Sequence, residues 1–165
     1  MTYDYSQVFS GFNMLAMTGW LLLMLAPKRW TWLLCITGIL IPGILAAGYG
    51  GLMLTHMSDV QGGGYGSLAK VKTLMSYDAV LLAGWAHYLC FDLVIGTLIA
   101  READKIGLVR LVQIPILFAT FMFGPVGLLL FFLSWGGLIA LNSRRFFNFQ
   151  ALKQTPQQSA QEASL

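Results

Sequence analysis

Four stretches of the chain, 5–26, 31–54, 77–100 and 108–141, are nearly continuous apolar runs, each long enough to cross a bilayer as a helix. A crossing needs about 20 mostly apolar residues. In hydrocarbon a single segment can satisfy its own backbone only as a helix. Composition agrees: the chain is 57% hydrophobic and 10% charged, whereas soluble domains are about 25% charged. The mean hydropathy is +0.69. The expected architecture is an all-α integral membrane protein, a four-helix transmembrane bundle forming a single domain over 1–149. The Gln- and Ser-rich tail, 150–165, has too little apolar content to pack and is expected to be disordered.

Turn and interface signals punctuate these runs. Pro27-Lys28-Arg29-Trp30 closes the first, since proline cannot continue a helix and the charges with Trp30 and Trp32 suit the headgroup level. Pro42-Gly43 should kink the second, and Gly43, Ala47, Gly48 and Gly51 offer small surfaces for a neighbouring helix. The loop 55–66 holds Gly62-Gly63-Gly64 but fits neither phosphate-binding glycine pattern. Ser67 is expected to cap a short interfacial helix bearing Leu68, Val71, Leu74 and Met75, and Ser76 to cap the third span. The last run is longer than one untilted crossing and carries Pro115 and Gly124-Pro125, so it is expected as one long kinked helix.

Several classes are excluded. A net charge of +3 and a pI near 9 could suggest nucleic acid. The basic residues, however, fall in pairs between apolar runs, as in membrane loops, so no nucleic-acid partner is expected. Asp4 and the lack of Lys or Arg in 1–6 argue against a cleaved signal peptide and against a transit peptide. Basic residues divide five against five between the two sides of a four-span topology, so orientation stays open. Cys35 and Cys90 lie inside apolar runs and are expected to be unpaired. His56 and His87 are too few for a membrane di-iron enzyme or an iron-dependent carotenoid cleavage enzyme.

The third run holds the chemistry. His87 and Asp92 sit near its middle, where a carboxylate costs roughly 2.5–3.5 kcal/mol on insertion scales and normally faces a bundle interior. Tyr88 and Asp92 are i and i+4 neighbours on a helix, and Trp85 and Gly96 extend their stripe. His87 lies roughly 140° away at about 100° per residue, so the two could border one cleft from its edges without bonding directly. A carboxylic acid and an imidazole suit general acid and base work. A polar zipper, with Asp92 bonding Tyr88 and Asn13, is the structural alternative. The H-x-x-x-x-D spacing does not put two metal ligands on one face, so no metal is expected. Arg101, Arg110 and Gln113 form a second polar set near the third connection, with Arg101 on the His87 side. Aromatic residues including Trp85, Phe91 and Phe121 could wall a long apolar ligand.

Three segments resemble one family: 26–31 (APKRWT), 84–93 (GWAHYLCFDL) and 123–129 (FGPVGLL). The chain is similar over about 9–133 to the neoxanthin-synthase-like, or abscisic-acid-deficiency, group of small four-helix membrane proteins of plastids and bacteria. The resemblance implies carotenoid chemistry, in plants the conversion of the 5,6-epoxide end group of violaxanthin to the allenic end group of neoxanthin. His87 and Asp92 match the family's signature positions and suit the two proton transfers this reaction needs, so they are taken here as the acid and base pair. Tyr88 would orient Asp92, and Asn13, Trp85, Phe91, Phe121 and Pro125 would bind the substrate. No cofactor is expected. The missing transit peptide and the glycine-rich loop point to a bacterial homologue in the inner membrane. The partners expected are a carotenoid or another long apolar ligand and the bilayer, with homo-oligomerisation left open. A non-catalytic carotenoid- or quinone-binding protein, or an accessory subunit, is the competing reading.

Overall fold

The computed structural model describes residues 4–25 and 32–140. The expected first connection, Arg144, Arg145 and the tail fall outside them. Six helices follow in order: α1 Tyr5–Leu25, α2 Trp32–Asp59, α3 Leu68–Leu74, α4 Asp78–Lys105, α5 Arg110–Phe123 and α6 Pro125–Ala140. No strand occurs among the described residues. The protein is all-helical, and α1, α2 and α4 are long and apolar enough to cross a membrane. Of the described residues, 4–128 belong to one compact unit and 129–140 to a second. Within the second, Phe131 packs its ring on Phe132 and Trp135.

The central helix is α4, which packs most extensively on α2, then α1, then α5. Pairs of large and small residues join α1 to α4. A Cβ on Gly96 would run into the Trp20 indole, and one on Gly19 would lie 2.6 Å from Leu93. Trp20 is buried at 2% exposure, and Leu93 completely. Lipid tails are as apolar as leucine, so such close-fitting shapes, rather than hydrophobic exclusion, drive association. Of the four small residues expected to receive a neighbour on α2, Gly48 does so, against the Phe12 ring of α1. Gly43 and Gly51 face open space, and Ala47 is exposed.

Local chemistry explains the irregularities. Proline 42 has no N–H to offer the carbonyl of Gly38 four residues back. The preceding segment Ile36–Leu40 is a π turn, in which Ile41 N–H reaches back to the Ile36 carbonyl. Ser67 caps α3 as expected, its hydroxyl accepting from Lys70 N–H at 3.2 Å. Ser76 does not cap α4. Its hydroxyl turns back to the Thr73 carbonyl at 2.7 Å, and Tyr77 holds the cap position. The connection from α4 to α5 is knotted around Gln113, which is fully buried. Its amide donates to Asp104 at 2.8 Å and to the Leu108 carbonyl at 2.7 Å, and its oxygen accepts from Arg110.

The expected single kinked helix over 108–141 is two helices instead, each shorter than a crossing. On a continuous helix, residues 120 and 127 would stand about 10 Å apart. Here a Cβ on Gly127 would meet the backbone of Thr120. The chain doubles back at Gly124, whose φ of +38° is a conformation that residues with a Cβ rarely adopt. Pro125 then starts α6, where its missing N–H costs nothing.

Candidate functional site

The polar side chains of the spans are mostly satisfied within their own helix. The hydroxyls of Ser10, Thr18, Thr37, Thr55 and Thr120 each donate to the carbonyl four residues back. Asp92 is the exception. Its Oδ2 is buried and has no hydrogen-bond partner among the described residues. The carboxylate lies against the turn between α5 and α6, where a Cβ on Gly124 would stand 2.9 Å from Oδ1 and 3.2 Å from Oδ2. Glycine is therefore required here twice, by its backbone angle and by the carboxylate. The turn also sets Asp92 beside the start of α6, where the first N–H groups lack intrahelical partners and the helix dipole favours negative charge.

Tyr88 sits one turn before Asp92. Its hydroxyl donates to the carbonyl of Phe121 at 3.3 Å and lies within hydrogen-bonding reach of Asp92. The Phe121 carbonyl is available for a simple reason. Its helical partner would be the N–H of residue 125, and that residue is proline. One phenolic proton serves one acceptor at a time, so Tyr88 has two resting places for it.

The same stripe of α4 continues towards its N-terminus. Trp85 stacks beside Tyr88 with ring centroids 5.4 Å apart, and its indole N–H donates to Asn13 Oδ1 of α1 at 3.1 Å. The Asn13 amide in turn donates to the Phe9 carbonyl at 2.7 Å. Beyond Trp85 lies a groove of about 340 Å³ between α1 and α4, walled by Tyr5, Phe9, Leu81, Leu82 and Trp85, with Asp78 at its end. At a rise of about 1.5 Å per residue, Asp78 and Asp92 are roughly 21 Å apart along one face. On the α5 side Phe121 meets Trp20 at 5.5 Å between ring centroids.

The structure thus brings together Asp92, Tyr88, Trp85, Asn13 and Phe121, with Pro125 acting through the N–H it lacks. It does not bring in His87 or Phe91. These two stack on each other at 4.5 Å and His87 faces Tyr49 of α2 at 5.6 Å, and both are exposed. On the uninterrupted α4 their five-residue spacing turns Asp92 and His87 to different neighbours. Asn13 serves Trp85 rather than Asp92. Sequence reasoning missed Gly124 as the floor of the site, whereas Trp20 was among the aromatics expected to wall a ligand. The signal for Gly124 was present in Pro125, since a proline frees the carbonyl four residues back and a glycine before it permits a reversal.

A second histidine arrangement lies elsewhere. The Tyr5 hydroxyl and His56 Nε2 are 3.1 Å apart, joining α1 to the end of α2. Cys35 and Cys90 are both free, the latter donating to the Pro42 carbonyl. Among the described residues no three His, Cys, Asp or Glu side chains converge on a point that could hold a metal ion.

An all-helical protein with helices long and apolar enough to cross a membrane, and with a carboxylate at a chain reversal that keeps one buried oxygen without a partner, is the class these features define. The sequence profile of the ABA DEFICIENT 4-like family matches residues 7–131, and the chain belongs to that family. The matched region contains the whole stripe on α4 and the Gly124–Pro125 turn. No curated protein and no solved structure matches the chain.

Proposed function

We propose that this protein is a carotenoid-modifying membrane enzyme of isomerase type, acting on an end group in the manner of an epoxide-to-allene conversion. The observation that carries the reading is the Asp92 carboxylate, held against Gly124 with Oδ2 unpaired and Tyr88 beside it. Membership of the family supplies the substrate class. In such a conversion the C7–H bond breaks and its electron pair forms a C6=C7 double bond beside the retained C7=C8, making the allene, while the epoxide C6–O bond opens and the oxygen left on C5 takes a proton. One proton leaves carbon and one arrives on oxygen, with no net oxidation. Asp92 is the base for C7, and Tyr88 is the adjacent donor to oxygen and positions Asp92. His87, on the other side of α4, has no part in this pair.

The groove along Phe9, Leu81 and Trp85 receives the polyene, whose rigid length suits a stripe of this reach. Fixing the end group against the pair makes the proton transfers effectively intramolecular. In this arrangement α1, α2 and α4 cross the bilayer, and α5 supplies the fourth wall of a bundle.

The test is expression in a host that accumulates a 5,6-epoxy carotenoid, followed by pigment extraction. The expected result is a product of unchanged mass with altered retention and absorption, absent from the Asp92→Asn variant although that variant still binds pigment. Wild-type protein that returns its bound pigment unaltered would overturn the enzyme reading in favour of a binding protein.

A further inference from the structure

The face of α4 opposite Asp92 has a feature the proposed reaction does not use. Between α2 and α4 runs a groove of about 670 Å³, walled by Leu34, Ile39, Val94 and Leu98, with Cys35 at its rim and Arg101 at its mouth. Its floor is where the π turn Ile36–Leu40 meets α4, Gly38 lying so close to Thr97 that an added Cβ would be 3.0 Å from the threonine methyl. The polar groups of the floor are satisfied internally, since Thr97 donates to Thr37 at 3.1 Å and Thr37 to the Leu33 carbonyl. What remains is an apolar trough running about 10 Å along α4 from Val94 to Arg101.

The mouth carries Arg101 and Asp104. Among the described residues Arg101 makes no hydrogen bond or ion pair, and its side chain is exposed. Its neighbours are engaged: Lys105 pairs with Glu102 at 2.6 Å, and Asp104, at the same mouth, accepts from Gln113 at 2.8 Å and lies 4.0 Å from Arg110. Arg101 stands one turn before the end of α4, the depth at which a long basic side chain reaches the headgroups. An arginine left unengaged beside a carboxylate that is already engaged, at the mouth of an apolar trough between two long apolar helices, matches an acidic lipid in both of its parts.

We infer that this groove binds an anionic phospholipid of the bilayer, with one acyl chain between α2 and α4 and the phosphate on Arg101. The site is independent of the Asp92 chemistry, and either can fail without the other.

Cys35 is an exposed thiol at the rim and Cys90 is buried, so alkylation at Cys35 reads occupancy. The full chain is placed in nanodiscs of phosphatidylcholine alone or with a minor share of phosphatidylglycerol, and the rate of modification by a neutral maleimide is followed by peptide mass. Phosphatidylglycerol is expected to slow Cys35 by about tenfold, the factor for a ligand at nine times its dissociation constant. The slowing should vanish in Arg101→Gln and persist in Arg101→Lys. A general effect of the negative surface would slow Arg101→Gln equally, and that result overturns the proposal. It is also overturned if phosphatidylcholine protects as well as phosphatidylglycerol, if neither protects, or if only a bound carotenoid does.

Discussion

The two faces of α4 carry similar residue types and are treated oppositely by the fold. On one, Tyr88 and Asp92 meet the end of α5 and the α5–α6 turn, and the carboxylate keeps a buried oxygen with no partner. On the other, His87 and Phe91 stack on each other in the open beside Tyr49. The difference lies in what the neighbouring helix brings. A turn built of glycine and proline brings backbone to Asp92 and frees a carbonyl for Tyr88, whereas α2 brings only a ring to His87. An ionisable residue in a membrane helix is therefore not a site by its chemistry alone. Its candidacy rests on a second element enclosing it.

Replacing Asp92 with Asn tests the enclosed face most severely. Turnover should fall by about 10²–10⁴-fold, the usual contribution of a positioned acid or base. Pigment binding and the thermal midpoint should stay close to wild type, because the amide keeps the shape of the carboxylate. Next is Gly124→Ala. An alanine forced into the positive-φ conformation costs of order 1–3 kcal/mol before its contact with Asp92 is counted. The thermal midpoint in detergent should drop, and turnover in the surviving fraction should drop with it.

Tyr88→Phe comes third. It leaves the Phe121 carbonyl unpaired at a cost of about 1–2 kcal/mol and removes the proposed donor. A turnover that falls further than folded protein does separates the chemical role from the structural one. His87→Gln should have the smallest effect, with conversion and midpoint near wild type. If this variant abolishes conversion while Asp92→Asn does not, the comparison is reversed and the working face is the exposed one.

Much of this was legible in the residues. Three long apolar runs became three long helices, and the i, i+4 relation of Tyr88 to Asp92 survives intact. The angular separation of His87 from Asp92 was also readable, and the structure carries it to its full consequence. What could not be read was the partner. That Gly124 rather than Asn13 meets Asp92 depends on how residues 32 positions apart are folded together, and no local period encodes that. Gly124-Pro125 was ambiguous in itself, since the pair permits both a kink and a reversal. The contact of Gly127 with Thr120 decides between them. The glycines that seat α1 were overlooked for a related reason. Gly19 and Gly96 are isolated in their helices, while the denser group on α2 drew the inference.

The seating of Trp20 on Gly96 bears on how the molecule is put together. Helices inserted one by one must find their docking position within the membrane, and a slip of one turn, roughly 5.4 Å, would bring the indole over Ala100 in one direction and over Asp92 in the other. Only the observed alignment offers the ring a hollow and leaves the carboxylate clear. Fit and the exposure of Asp92 to its turn are thereby decided in a single event, so a chain whose first helix settles one turn out of step towards Asp92 covers that carboxylate with an indole.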